Sequence, residues 1–569
     1  MIRKRWAVAA MLGLAAAVLF FASTASFAFP GESARLLACW KGLETASSVD
    51  YPLMAAVVRL LGCGNYIAPI CGALAVMLLA GLVAGFIAWR IPDHDDADPD
   101  ERIPRQRERL SLIAALGTTV VFVLTPAVRS AATHLEPRLF DFTVALAIFA
   151  AALPVLWFRL PAWLYTLFAG VLVALGFCDS ALFLCLLPFF LATVAFVARR
   201  RGRNLAVHGI LFVVFFVIAL LVALRVFGID FTDFRTDVFR ELGMMRRLTG
   251  WVFVAVFATV PFVLVLFASA RSFVHETTPA QWVFHLAMTV AAIVAIATPL
   301  SPSELMKTYG VLPVVTSAYA ACVAGYLLAY WWFMRRRAVA IIAGSVLVFA
   351  LAVTCVWNLC VFDGDRGDFA DRVAAKIIKD LGERSWFVSD GVLDDHLKLV
   401  AAETGKKLHI ISLARDADEQ YLKALARVIE EENVGGSKNA ELRMSLELGV
   451  LSFLQDWLAA DPTVASEMAI FGAPDIWYGA GLTPVPEFFF FGADAKRVPD
   501  WEAWKEFDNI LEAPKGWGSY RDRKEPDPVA RLRFSLRRHL GFVANNRGVW
   551  LQDQKRDDEA WRMYELVLN

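Results

Sequence analysis

Glu32 stands in Phe29-Pro30-Gly31-Glu32-Ser33, directly after a long apolar stretch. A carboxylate at a membrane interface is placed to act as a general base, because partial desolvation lifts its pKa toward neutral. The same residue also reads as a first-turn helix acid after Pro-Gly, where the helix dipole favours negative charge. A second polar stretch runs from Thr125 to Arg138 and holds Glu136 together with Arg129, His134 and Arg138. One acid, one imidazole and two guanidinium groups can bind an anionic group or neutralise one another. Asp141 and Asp179 fall at the ends of apolar stretches, where ionisable groups are costly and often functional. Either also reads as an interfacial cap. Arg235, Arg240, Arg246 and Arg247 can grip phosphate by forked hydrogen bonds, or contact lipid headgroups. Asp390, Asp394, Asp395 and His396 have the look of a metal cluster. A strand-to-helix turn with Asp394 as N-cap explains most of them, so no metal site is expected. The sequence contains no GxGxxG, Walker or HExxH pattern and requires no cofactor.

The elements that must hold these groups are set by composition. Of 569 residues, 58% are hydrophobic and 20% charged, with a mean hydropathy of +0.53. Water-soluble globular chains are about half apolar at most. A soluble enzyme and a disordered chain are thereby excluded. The 56 basic and 56 acidic residues cancel, which excludes a nucleic-acid binder driven by bulk charge. The balance is uneven along the chain. Residues 1–360 carry 28 Lys/Arg and 19 Asp/Glu, and residues 361–569 carry 28 and 37, giving +9 and −9. Two parts in two environments are expected. All eight cysteines lie in the first part, none with zinc-type or CxxC spacing. Cys39 and Cys63 read as small core residues, with pairing in an oxidising compartment as the alternative.

Apolar stretches of about 17–25 residues cross the hydrocarbon as helices. About eleven are expected by that criterion, near 6–28, 66–89, 111–127, 140–158, 161–178, 181–198, 205–226, 250–270, 281–299, 310–333 and 338–357. The first, preceded by Arg3, Lys4 and Arg5, resembles a signal peptide but is longer than an ordinary signal core, so a retained helix is expected. With a cytoplasmic N-terminus, 17 basic residues fall inside and 11 outside, including the inner clusters Arg199–Arg203 and Arg335–Arg337. Residues after 360 then lie on the outer face, periplasmic in a bacterium with two membranes. The expected organisation is a membrane domain over 1–360 with a first outer loop at 29–65, a periplasmic α/β domain over 361–528, and a helical segment over 529–569. The loop at 227–249 alternates aromatics with charges, as an interfacial segment with its Phe and Met side toward lipid does.

In the tail, Trp386–Gly391 reads as a strand entering a tight turn, followed by a helix near 394–404 and a second strand at His409–Leu413. Helices are expected at 417–432 and 440–459, and further strands at Met468–Phe471 and Phe488–Phe491, which together make a small α/β layer domain. At the end, Gly548 and Ala560, flanked by Leu551 and Tyr564, have tetratricopeptide-like (TPR-like) spacing, with small residues where two antiparallel helices cross. An ordinary helical hairpin is the alternative.

Taken together, the chain resembles the GT-C superfamily of integral-membrane glycosyltransferases, in the bacterial branch similar to protein O-mannosyltransferases, which often ends in tetratricopeptide repeats. The motifs that carry the resemblance lie in roughly residues 1–200. In that branch an Asp-x-Gly-Glu follows the first span, and Pro30-Gly31-Glu32 keeps the Gly-Glu with Phe29 in place of the Asp. A His-Pro-Pro-Gly-Tyr-Pro-Leu element is matched at its end by Asp50-Tyr51-Pro52-Leu53. A Glu-x-Tyr motif after the third span resembles Leu135-Glu136-Pro137-Arg138, and a Gly-Leu-x-x-x-His-x-x-x-x-x-x-x-Pro helix resembles Gly176 through Pro188, with Asp179 close to the His position.

The resemblance implies a polytopic enzyme that takes a sugar from a polyprenyl-phosphate carrier and transfers it, outside the bacterial inner membrane, to a protein or glycan acceptor. It implies Glu32 and Glu136 as catalytic carboxylates. Asp50, Tyr51, Arg129, His134, Arg138, Asp179, Arg246 and Arg247 become candidate substrate contacts. Membrane lipid, and a protein partner at the TPR-like end, complete the expected partners; nucleic acid is not among them. The absent first-loop Asp and His positions leave a second class open, a non-catalytic membrane-anchored scaffold for envelope or glycan assembly. A transporter is least favoured, because most charges sit at span ends and no internal repeat is visible.

Overall fold

The computed structural model describes residues 2–43, 51–90, 102–239, 312–333, 367–493, 504 and 528–568, apart from 181, 233, 237 and 473. Contacts divide the chain into two compact units: Met1–Thr24 with Asp50–Gly364, and Ala25–Val49 with Asp365–Asn569.

The first unit is helical throughout its described residues. Its elements are α1 (Ile2–Phe21), α3 (Pro52–Leu61), α4 (Ile67–Arg90), α5 (Arg102–Leu124), α6 (Pro126–Ala131), α7 (Pro137–Ala150), α8 (Ala152–Trp157), α9 (Ala162–Asp179), α10 (Leu182–Arg200), α11 (Leu205–Phe227) and α12 (Leu312–Phe333); α2 (Glu32–Trp40) belongs to the second unit. Among the described residues, five segments are long and apolar enough to cross a membrane: Lys4–Phe21, Gly64–Ala88, Pro137–Trp157, Ala162–Asp179 and Leu205–Phe227. The expected spans near 111–127, 181–198 and 310–333 coincide with the helices α5, α10 and α12. Those near 250–270, 281–299 and 338–357 lie outside the described residues.

Helix α1 packs on α4, α5 on α12, and α9 on α11. Without hydrophobic attraction between helices in lipid, close approach through small residues holds such pairs. A Cβ at Gly13 would come within 2.9 Å of Met77 Cβ, and one at Gly81 within 2.6 Å of the Trp6 ring. In the stretch after α11, Phe234 is buried edge-on against Phe177 with ring centroids 5.3 Å apart, while Phe231 and Phe239 are exposed. The aromatics expected to share one lipid-facing side are therefore split between the core and the surface.

The second unit is an α/β layer. After α13 (Asp368–Asp380) come β1 (Trp386–Ser389), α14 (Asp394–Thr404), β2 (His409–Ser412), α15 (Glu419–Glu431), α16 (Asn439–Glu447), α17 (Val450–Ala460), β3 (Met468–Ile470), α18 (Asp475–Gly479), β4 (Val485–Pro486), β5 (Phe491–Gly492), α19 (Pro528–Asp553) and α20 (Asp557–Leu568). The sheet order is β2-β1-β3-β5-β4, with β1 parallel to both β2 and β3, and the β3–β5 and β5–β4 pairs antiparallel. Every residue of β1 is buried, as a central strand with neighbours on both sides requires.

Three expectations need correction. The first outer loop does not stay with the membrane part as one segment. Residues 25–49 join the second unit because Ala34 and Ala38 of α2 pack on Leu399 of α14, and Asp371 accepts the Ala28 N–H at 3.2 Å. The helix expected at 440–459 is broken at Gly449, whose φ of +123° no other residue adopts comfortably. Asp416 then accepts the Val450 N–H at 2.5 Å and restarts the chain as α17. The terminal segment is not a domain apart: Leu536, Leu540, Val543, Leu551, Ala560 and Met563 belong to the same core as the sheet residues Phe387, Val388 and Ile470. Its two helices form a hairpin in which the Tyr564 ring lies where a Gly548 side chain would be.

Candidate functional site

The sequence candidates fall into both units, and each unit is described by itself. In the first, Glu136 is the N-cap residue of α7, in extended conformation and followed by Pro137 at the first helical position. Its side chain is only 14% exposed. Arg138 Nε lies 3.0 Å from Glu136 Oε1 and His134 Nε2 lies 3.7 Å from Oε2, so one carboxylate is flanked by both basic groups. Burial alone pushes the Glu136 carboxyl up. The Arg138 guanidinium, His134 and a backbone N–H outweigh it, and the group lies below the ordinary carboxylate value. His134 is itself buried, with Nδ1 3.2 Å from Thr133 Oγ1. Arg138 is the most exposed member of the trio, at 31%. Arg129, 3% exposed, donates through Nη1 to the Leu19 carbonyl at 3.5 Å, near the end of α1. A guanidinium there serves orphaned helix carbonyls.

Asp179, the last residue of α9, is buried and turns both oxygens to backbone. Oδ1 accepts the Leu53 N–H at 2.6 Å and Oδ2 accepts the Met54 N–H at 2.9 Å. These are orphan donors of the first turn of α3, whose N-cap residue Tyr51 makes no side-chain cap. Tyr51 has φ +54°, a left-handed conformation that a non-glycine residue holds only when its surroundings fix it. The carboxylate of a residue about 125 positions away supplies that constraint. Asp50, Arg246 and Arg247 lie outside the described residues.

In the second unit, Glu32 opens α2 after Gly31, and Arg35 Nη2 lies 3.9 Å from its Oε1 with both side chains at least 40% exposed. That is the arrangement of a first-turn helix acid with an exposed i,i+3 partner, a pairing that contributes little to stability. The four residues that suggested a metal cluster disperse. Asp390 accepts the Val392 N–H at 3.1 Å, and His396 Nδ1 lies 2.6 Å from Asp371 Oδ1. Burial, with the neighbouring Asp394 charge, pushes the Asp390 carboxyl up. Among the described residues no group of three or more His, Cys, Asp or Glu could hold a metal ion. Asp394 is not the N-cap expected for it: Leu393 takes that position without a side-chain cap, and Asp394 is the first helical residue. Asp371 was missed by sequence reading, because an acid in the first turn of an amphipathic helix carries no sign of a distant histidine. Cys39 and Cys63 are not bridged to each other, and both are half-buried rather than in the core.

No family model, curated protein or solved structure matches the chain.

Proposed function

We propose that the chain is a membrane glycosyltransferase of GT-C type. It moves a sugar from a polyprenyl-phosphate donor to a protein or glycan acceptor at the outer face of the bacterial inner membrane, with about eleven spans and a TPR-like end. The observation that carries the reading is the meeting of two stretches that resemble separate family motifs. Tyr51-Pro52-Leu53 and the end of α9 are joined by the two hydrogen bonds from Leu53 and Met54 to Asp179. The third motif-like stretch supplies Glu136, held ionised beside the partly exposed Arg138, a pairing of anion and forked cation suited to a phosphate-bearing donor. In this reading Glu32 is the base candidate for the acceptor hydroxyl.

The test is transfer in membranes supplied with a polyprenyl-phosphosugar. Glu32→Gln and Glu136→Gln are each expected to abolish transfer; unchanged transfer in both overturns the assignment. The scaffold reading is favoured by one observation, the solvent-exposed apolar residues Phe534, Trp561 and Leu568 on the terminal hairpin. A wild-type protein that transfers no sugar yet retains envelope partners lost on Phe534→Ser decides for it.

A further inference from the structure

A cleft of about 330 Å³ opens in the second unit at the carboxyl ends of the parallel strands β1 and β2. That end of a parallel sheet is where α/β folds bind ligands, since loops and helix N-termini converge there. Its walls carry three basic side chains, Arg35, Lys398 and Arg415, and three carboxylates, Asp394, Asp395 and Asp418. Arg415 is already committed, with Nη2 donating to Asp418 Oδ2 at 2.8 Å and the guanidinium lying 4.8 Å from the Tyr421 ring centroid. Asp418 is committed too, capping α15 through the Gln420 and Tyr421 N–H groups. Two cleft residues differ from these. Asp394 and Ser412 are 7% and 2% exposed, and Asp394 Oδ1 and Ser412 Oγ are buried with no hydrogen-bond partner among the described residues. Native folds rarely leave such groups unpaired without a reason. Only glycine fits at Gly391 in this wall, since a Cβ there would lie 2.6 Å from Ala414 Cβ and 3.5 Å from Ser412 Oγ.

The wall chemistry selects the ligand. A free phosphate or other bare anion meets three carboxylates, and a bare cation meets three basic groups. An apolar molecule finds no aromatic wall among the described lining residues. What satisfies a buried carboxylate oxygen and a buried hydroxyl together is a group that both donates and accepts, repeated on neighbouring atoms of an uncharged molecule. We propose that this cleft binds a neutral carbohydrate, with sugar hydroxyls donating to Asp394 and pairing with Ser412. Its size, at the lower end of small-molecule sites, suits one or two sugar rings. The inference does not rest on the transfer reaction: a scaffold that holds a glycan would use the same cleft.

The experiment uses the full chain in nanodiscs and saturation-transfer NMR with mannose, mannobiose and N-acetylglucosamine. Inorganic phosphate and glutamate serve as charged comparison probes. At least one saccharide is expected to give signal, and Asp394→Asn and Ser412→Ala are each expected to weaken its binding by about tenfold or more. Melting without sugar is expected to stay the same or rise in Ser412→Ala, because that variant removes an unpaired hydroxyl. Absence of signal from all three sugars overturns the proposal, as does tighter binding of phosphate or glutamate. Unchanged saccharide binding in both variants overturns it as well. Signal lost in Glu136→Gln but kept in Asp394→Asn puts the sugar in the first unit and overturns the cleft alone, leaving the transfer reading standing.

Discussion

Asp179→Asn tests whether the carboxylate at the end of α9 builds the site or touches the substrate. Asp179 accepts two backbone N–H groups, at 2.6 Å from Leu53 and 2.9 Å from Met54. Asparagine keeps one acceptor oxygen and turns an NH2 donor toward the other N–H. A hydrogen bond to a charged acceptor contributes about 1.5–3 kcal/mol net. The Asn variant therefore loses about 2 kcal/mol of local stability, and Asp179→Ala, which loses both bonds, about 3–6 kcal/mol. The loss is concentrated at the first turn of α3, so hydrogen exchange of the Leu53 and Met54 amides is the fitting assay. Each 1.4 kcal/mol is a factor of ten, so exchange in Asp179→Asn is expected to quicken by about 10- to 100-fold. Exchange at Val388 in the second unit stays as it is. Wild-type rates at Leu53 and Met54 in the Ala variant would refute the capping role. Loss of donor affinity with those amides still protected would restore Asp179 as a direct substrate contact.

Two further perturbations probe the second unit. Burial pushes His539 down to about 4, against the accepting Phe489 carbonyl 2.7 Å away, so the folded protein keeps it neutral while the unfolded chain takes up a proton below pH 6.5. This group's contribution to stability rises with pH across that window and falls by about 3 kcal/mol from pH 6.5 to 4, so the slope in urea midpoints is expected to be smaller by that amount in His539→Phe. Arg384 and Glu487 form a pair at most 3% exposed, joined by hydrogen bonds of 3.0 and 2.5 Å. Glu487→Gln strands the guanidinium and is expected to cost about 3–5 kcal/mol by denaturant unfolding, with an Arg384→Met, Glu487→Leu double variant costing less.

Local pattern made much of the second unit legible. Trp386–Ser389 is an apolar run closed by Asp390-Gly391, and it is β1; helix α14 ends at Thr404, where the sequence expects it, with Gly405 left-handed after it. The antiparallel edge was legible only in part. Phe488–Phe490 are buried as a strand pattern demands, yet only Phe491–Gly492 pairs, with a two-residue partner at Val485–Pro486. Strands that short leave no alternation to read. At the site, the neighbourhood of Glu136 was legible because all three members sit within five residues of chain, from His134 to Arg138. The bond between Asp179 and α3 was not, since a side chain gripping distant backbone N–H groups has no signature in residue type at the receiving end. The assignment of residues 25–49 failed for a related reason: the small residues Ala34 and Ala38 show a buried face without naming what buries it.

The acids that looked alike in sequence differ in what they have left to give. Asp179 has both oxygens on backbone, Glu32 has an exposed arginine partner, and Glu136 has Arg138 and His134. A carboxylate so paired is a poor base as it stands, because the charges that hold it ionised also weaken its hold on a proton. In the proposed reaction this bears on the order of events. A donor phosphate that draws the Arg138 guanidinium to itself removes the strongest of the influences lowering the Glu136 carboxyl, while the burial that pushes it up remains. Proton affinity at Glu136 then rises only once the donor is bound. On the proposed reading, the guanidinium that would recognise the phosphate would also gate the acid chemistry.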